Sequence, residues 1–504
     1  METLQHLAQG FAVAGTPLNL AVAAIGCFLG TIVGLLPGLG PINGVAILMP
    51  IAYAMKLPPE TTMILLSAVY IGCEYGGRIS SILINVPGDA GAIMTAMDGY
   101  PMARRGEAGV ALSISAWSSF VGSMIALLGL VFFAPLLAKW ALAFGPAEYF
   151  ALIVFAICCL TGLVGNKPVK TAVSGFIGLL LATVGIDAGT GVYRFTFDSV
   201  HLADGIQFIV VVIGLFSISE LLLMLEQTHA GQGIVKATGR KLFNLKELAF
   251  TWWGTVRSSL MGFFIGVLPG AGATIASAIA YMTEKRISDR DGTFGKGDIR
   301  GVAAPEAANN ASAQGSFVPM LTLGIPGSGT TAVMVGALSL YNITPGPALF
   351  DNQPTLVWGL IASMFIGNVL LLLMNIPLVG VFARMLAVPN WLLVPAIAAI
   401  SVVGVYAVHA TTFDLILMAV LGVAGYAMRK MDFPMAPLVL GFVLGDMMEQ
   451  NLRRALSISN GEVGILFSSP VSFGLWMLAA GVLIVPGLMR WRTRRRAATV
   501  LATS

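Results

Sequence analysis

The stretch GLLPGLGPING, residues 34–44, puts two prolines and four glycines inside an apolar run where a membrane helix should be continuous. The phrase returns as GVLPGAGATIA at 266–276. Proline lacks the N–H that continues a helix and glycine loosens the backbone, so each copy predicts a helix that stops and restarts. The offset that aligns Pro37 with Pro269 (269 − 37 = 232) also sets Gly30, Gly34, Leu36, Gly38, Gly40 and Ala46 on Gly262, Gly266, Leu268, Gly270, Gly272 and Ala278. A second pair of breaks follows, NVPGDAGA at 85–92 and GIPGSGTTA at 324–332, at the nearby offset 326 − 87 = 239. A repeat this long points to a duplicated membrane core rather than a solenoid, whose periods are about 20–50 residues.

Around the breaks the chain is greasy. Of its 504 residues 57% are hydrophobic and 10% charged, against about 25% charged in soluble domains. Apolar runs at 107–134, 141–163, 168–186, 206–226, 355–378, 391–408, 412–428 and 471–490 approach or exceed the length that crosses a bilayer. No strand-like alternation argues for a barrel. The fold class is therefore an all-α polytopic membrane protein of about 11–12 transmembrane segments plus hairpins. METLQHLAQGFAVAG carries no Lys or Arg and so lacks the basic start of a signal peptide. Cys27, Cys73, Cys158 and Cys159 lie in apolar segments without paired spacing and read as packing residues.

Charge gives the two copies a direction. In the first copy the basic loop, MARRGE (102–107), follows the second break, and the loop after the first break, KLPPE (56–60), is nearly neutral. In the second copy EKRISDRDGTFGKGDIRG (284–301) follows the first break, and YNITPGPALFDNQPT (341–355), after the second, has no Lys or Arg. Basic loops stay cytoplasmic, so the repeats are expected to be inverted. The N-terminus then lies outside and the tail RWRTRRR (490–496) inside, with Lys56, Lys139, Arg194, Arg453 and Arg454 external and Arg78 in the membrane. The chain divides into a first repeat, 1–226, with a re-entrant hairpin at 21–55, a broken helix at 61–101 and four spans over 107–226. A cytoplasmic linker, 227–249, leads to the inverted repeat, 250–450, with hairpin 250–282, broken helix 305–340 and four spans over 355–448. Residues 451–504 supply a terminal span and the basic tail.

Unwound backbone at membrane depth must be buried in protein or line a watery cavity. Helix N-termini suit carboxylates, and freed carbonyls suit a small cation. If the tips 37–43, 85–90, 269–275 and 324–331 meet near the midplane, Gly38, Gly40, Asn43, Asn85, Gly88, Gly270, Gly272, Thr274, Gly327, Ser328 and Thr330 become candidate substrate ligands. Asp89 and Thr331 become candidates for ion coupling. The competing reading makes the breaks kinks and packing seams, as expected for Gly26 and Gly30 in their GxxxG steps, and makes Asp89 a helix cap. Glu74 and Arg78, spaced i, i+4, are expected to form an intrahelical ion pair. PEAANNASAQGS (305–316) either lines the cavity, through Asn309, Asn310, Ser312 and Gln314, or begins a helix at the cytoplasmic surface.

Enzyme chemistry finds no footing here. His6, His201, His229 and His409 are scattered, with no HExxH, Cys/His cluster or nucleophile elbow. No strand precedes the Gly-rich breaks and no P-loop Lys follows them. The basic loops at 227–246 and 283–304 read as topology signals or lipid headgroup contacts, not nucleic-acid sites. A passive pore or a membrane scaffold remains the other class.

GTIVGLLPGLGP, YGGRISSILINVPGDAGAIMTAMDGYPMARRGEAG, GFFIGVLPGAGATIASAIAY, GSFVPMLTLGIPGSGTTAVMVGAL and LGDMMEQNLRRALSIS together resemble the large membrane subunit of the bacterial tripartite tricarboxylate transporter family. The resemblance covers nearly the whole chain. It implies an inner-membrane secondary transporter, not an enzyme, that imports citrate or other carboxylates in symport with Na⁺ or H⁺. It also implies two partners, a small membrane subunit and a periplasmic solute-binding protein, no other cofactor, and Gly-Pro motifs that form the transport signature.

Overall fold

The structure is a computed structural model that describes residues 2–163, 167–187, 189–226, 242–386, 388 and 390–484. Most of the linker reading (227–241), the end of the last span and the basic tail lie outside the described residues. The described chain is almost all helix. Helices α1 (Glu2–Ala14), α2 (Pro17–Leu35), α3 (Gly40–Ala54), α4 (Pro59–Ile84), α5 (Ile93–Met102), α6 (Ala108–Ala141), α7 (Pro146–Leu163) and α8 (Pro168–Ala182) come first. Next are α9 (Phe208–Val212), α10 (Ser219–Glu226), α11 (Leu245–Val267), α12 (Gly272–Ser288), α13 (Arg300–Gly315), α14 (Phe317–Leu323) and α15 (Gly329–Leu340). The remainder are α16 (Leu349–Asn352), α17 (Pro354–Asn375), α18 (Val379–Met385), α19 (Asn390–His409), α20 (Thr412–Lys430), α21 (Met435–Ile458) and α22 (Pro470–Ile484). Among the described residues the sole sheet is the antiparallel pairing of Gly185–Ile186 with Tyr193–Arg194.

Six helical stretches are long and apolar enough to cross a membrane: Pro17–Leu35, Ala90–Ala141, Phe208–Glu226, Pro354–Asn375, Trp391–Val408 and Thr412–Lys430. Five shorter apolar helices, Gly40–Ala54, Pro146–Cys159, Pro168–Ala182, Gly329–Leu340 and Pro470–Ile484, accompany them. The chain is a multi-pass membrane protein. Helices α4 and α13 carry polar groups, including Glu74, Arg78, Glu306 and Asn309, that are buried within the protein.

The breaks fall where proline and glycine demand, and in matching conformations. Leu36 and Leu268, the residues that end α2 and α11, have φ/ψ of −79°/118° and −76°/121°. Gly38 and Gly270 follow at φ +90° and +80°, a region closed to most side chains. The second breaks start with left-handed residues, Asn85 at φ +57° and Gly324 at φ +70°. They end with extended N-caps, Asp89 at −142°/171° and Ser328 at −148°/169°.

Packing repeats as well. A Cβ on Gly34 of α2 would overlap the Cys73 carbonyl of α4, and one on Gly266 of α11 would overlap the Ser312 carbonyl of α13. These pairs stand at the same two offsets as the breaks themselves: Gly34 to Gly266 is 232, and Cys73 to Ser312 is 239. Such close approach lets two backbones lie in van der Waals contact, the packing that binds helices in lipid.

The described residues of 2–142, 206–268 and 272–431 form one compact unit. Within it the loops meet in a definite pairing. Tyr341 Oη donates to Leu57 O at 3.1 Å and lies 2.8 Å from Thr62 Oγ1, so the neutral loop of one copy touches the neutral loop of the other. On the basic loops, Arg105 donates through Nη1 to Lys296 O and through Nη2 to Gly297 O, both at 2.6 Å. Asp98 is fully buried there, its Oδ1 accepting from the N–H groups of Gly295, Gly297 and Asp298 at 2.7–2.8 Å. An apolar core of Leu35, Leu39, Ile79, Ile82, Ile114 and Phe382 encloses the first break.

The described residues of 143–205, 269–271 and 432–484 group as a second unit, in which α8 packs on α21 and a Cβ on Gly178 would overlap the Leu438 carbonyl. Asp187 knots its connecting loop. Its Oδ1 accepts from Gly189 and Thr190 N–H at 2.8 and 2.9 Å, and its Oδ2 meets Arg453 at 2.5 Å and Arg194 at 3.2 Å. Desolvation opposes ionisation here, but the two N–H donors and Arg453 outweigh it and hold the carboxyl at about 2. Arg194 also meets Glu449 at 2.7 Å.

Candidate functional site

The first break lies against the second break of the same copy. Gly40 faces Asp89, whose Cβ stands 3.5 Å from where a Gly40 Cβ would be, and the buried Gly88 lies on the Gly34 carbonyl. Gly38 faces the Glu220 carboxylate in the same way, at 2.5 Å. Helix α3 begins at Gly40 with no side-chain cap, so its first N–H groups lack that satisfaction. Asn43 is buried, its Nδ2 donating to Leu39 O and its Oδ1 unpartnered.

In the second copy Ser328 and Thr331 close a reciprocal cap. Ser328 N donates to Thr331 Oγ1 at 2.8 Å, and Thr331 N donates to Ser328 Oγ at 3.2 Å. Tyr70 of α4 reaches this break, its hydroxyl 3.3 Å from Ser328 Oγ and 3.4 Å from Ser316 Oγ. Thr330 is buried, and Gly327 lies on Ser316. Asn85 and Thr274 are exposed, and a side chain on Gly272 would meet open space. Gly270 belongs with residues 269–271 to the second unit. The geometry thus joins 37–43 to 85–90 and links 324–331 to α4. Two expected ligands have their groups committed locally: Gly88 N–H donates to Gly77 O at 3.3 Å, and Thr331 is spent on its cap. Asp89 does cap, its Oδ2 accepting from Gly91 N–H at 3.0 Å, while its Oδ1 has no partner.

The expected Glu74–Arg78 pair does not form. Glu74 Oε2 accepts from Asn309 Nδ2 at 2.8 Å, and Arg78 donates from Nη1 to Ser119 Oγ at 3.0 Å. The guanidinium also stacks 4.4 Å over the Tyr75 ring. Helices α6 and α13 bring better-placed partners than one turn of α4 offers. Ser119 passes the link on to Glu306 Oε2 at 3.1 Å, and Thr95 donates to Glu306 Oε1 at 2.5 Å. Asn310 adds a 2.8 Å bond to Ser119. PEAANNASAQGS is buried from end to end, not a surface start to a helix.

Glu306, Ser119 and Thr95 were not singled out as ligands by sequence reasoning. The signal for Glu306 was present: an acidic group in a segment flanked by membrane spans asks for a partner. Among the described residues no three His, Cys, Asp or Glu side chains gather as a metal site. Cys27, Cys73, Cys158 and Cys159 are free thiols, all but Cys158 buried.

No solved structure matches the chain. An uncharacterized 52.8 kDa protein from the TAR-I ttuC' 3' region of Agrobacterium vitis is 41% identical over 495 residues, 98% of each chain. An uncharacterized protein from the TAR-II ttuC' 3' region of the same organism is 44% identical over 234 residues, 46% of this chain and 97% of its own. The tripartite tricarboxylate transporter TctA family matches residues 20–440. With both Pro-Gly break pairs inside that span, the chain belongs to the TctA family, the large subunit of tripartite tricarboxylate transporters.

Proposed function

We propose that this chain is the solute-translocating subunit of a bacterial inner-membrane importer of tricarboxylates or related carboxylates, such as citrate. It works in symport with Na⁺ or H⁺, beside a small membrane subunit, and receives solute from a periplasmic binding protein. The observation that carries the reading is the first break seated against the second, Gly40 on Asp89 and Gly34 on Gly88, with the uncapped start of α3 between them. Bare N–H groups at a helix N-terminus are the natural receptor for a carboxylate in a low-dielectric site.

Inverted repeats with re-entrant hairpins fit the loop contacts. In a parallel duplication, equivalent loops would share a side. Here the loop after the first break of one copy meets the loop after the second break of the other, through Leu57 with Tyr341 and Arg105 with Lys296. Positive-inside then puts the Arg105 side in the cytoplasm and the N-terminus in the periplasm. Alternating access follows as movement of the break-bearing core against the other spans, in the manner of an elevator.

Proteoliposomes holding the intact complex, supplied with binding protein and labelled carboxylate, test the proposal. Uptake should saturate, show counterflow and require an imposed Na⁺ or proton gradient. Non-saturating flux without counterflow means a passive pore for organic anions, and flux indifferent to both gradients removes the coupling.

A further inference from the structure

The buried carboxylate of Glu74 lacks a charged partner among the described residues. It is 2% exposed, its one hydrogen bond comes from Asn309, and no Lys or Arg pairs with it among the described residues. Arg78, one turn away, is turned toward Ser119 and Glu306. An ionised carboxylate at this depth requires a counter-charge.

The surroundings of Asn309 say where the charge belongs. Asn309 is fully buried and gives its Nδ2 to Glu74, while its Oδ1 has no donor. That oxygen points at Gly91, where a Cβ would overlap it and would lie 2.9 Å from Asp89 Oδ2. Asp89 Oδ1, also without a donor, stands 2.5 Å from the position of a Cβ on Gly77. Asn309 Oδ1 and Asp89 Oδ2 therefore converge beside Gly91 and Asp89 Oδ1 lies beside Gly77, with Glu74 on the other side of the same Asn309 amide; a side chain at residue 77 or 91 would collide with these oxygens. Turning the Asn309 amide over would aim its NH₂ at Gly91 and set its oxygen against Glu74, so the deficit moves to Glu74 without being removed. Hard cations take oxygen ligands of this kind, at about 2.3–2.6 Å for Ca²⁺, an ion of nearly the size of Na⁺.

We propose that Glu74, Asp89 and Asn309, around Gly77 and Gly91, form a Na⁺ site joining the first broken helix to α13. The site would make the helix break at Asp89 and the polar helix α13 bind the ion together. This rests on the transport reading for its use, but ion binding is measured apart from transport.

The test is thermal unfolding of the purified full-length chain in NaCl against choline chloride, with KCl and CaCl₂ in parallel. Sodium should raise Tm saturably, by about 2 °C or more, and K⁺ should not. Gly91→Ala, which fills the space without changing charge, and Glu74→Gln, which removes the charge, should each abolish the sodium shift. A wild-type chain without a sodium-specific shift, one that responds equally to K⁺ or more strongly to Ca²⁺, or a Gly91→Ala chain that keeps the full shift overturns the site. Should Glu74→Gln fail to fold, the wild-type and Gly91→Ala arms still decide. A sodium shift in a complex that moves no carboxylate sinks the transport reading and leaves the site; sodium-indifferent unfolding in a working importer does the reverse.

Discussion

The Tyr341 hydroxyl donates a 3.1 Å hydrogen bond to the carbonyl of Leu57, across 284 residues of chain. Both residues sit in loops poor in Lys and Arg, whereas Arg105 and Lys296 meet in loops rich in them. Cysteines placed at the exposed positions Lys56 and Lys296 should therefore label from opposite sides. An impermeant maleimide should reach Lys56→Cys in spheroplasts and Lys296→Cys only after permeabilisation. Labelling of both from one side would refute the inverted arrangement.

Gly34 and Gly266 allow α2 and α11 to touch the backbones of α4 and α13. A methyl group at either position must push two helices apart. Gly34→Ala and Gly266→Ala should each destabilise by about 1–3 kcal/mol, as over-packing does. Detergent-solubilised thermal unfolding measures this. Because the two contacts are separate, the double variant should be close to additive.

Removing Glu306 strands the buried Arg78. Glu306→Leu should cost about 3 kcal/mol or more, the penalty of breaking a buried charge arrangement from one side. Adding Arg78→Met should recover much of that loss, since the unpaired charge disappears with it. Unfolding midpoints of the two single variants and the double variant check this, and a purely additive cycle would exclude coupling through Ser119.

In the second unit, Asp187 contributes pH dependence of a definite sign. Its folded carboxyl titrates at about 2, below the unfolded value of about 3.9. Its stabilisation is thus fully present above pH ~4 and is lost as pH falls through about 2. Acid unfolding of Asp187→Asn should lack that component, while its stability should be lower than wild type and flat with respect to this group near neutrality. Equal acid sensitivity in the two proteins would contradict the knot around Asp187.

How the helices are interrupted could be read directly from residues 34–44 and their echo. Proline and glycine act through their own backbone, so the stops at Leu36, Asn85, Leu268 and Gly324 needed no knowledge of neighbours. The cap at Asp89 was equally local, with its acceptor two residues from Gly91 N–H. Membrane residence followed from composition, because lipid rewards apolar surface wherever it lies along the chain.

Which polar groups meet was a matter for the folded chain. Asn309 finds Glu74 across 235 residues, and Glu306 finds Ser119 across 187. Local spacing offered Arg78 to Glu74, and the pairing went elsewhere because in a low-dielectric interior every polar group takes the best partner that any packed helix presents. Four helix breaks were written in the residues themselves. Their neighbours were chosen by the packing of α4, α6 and α13.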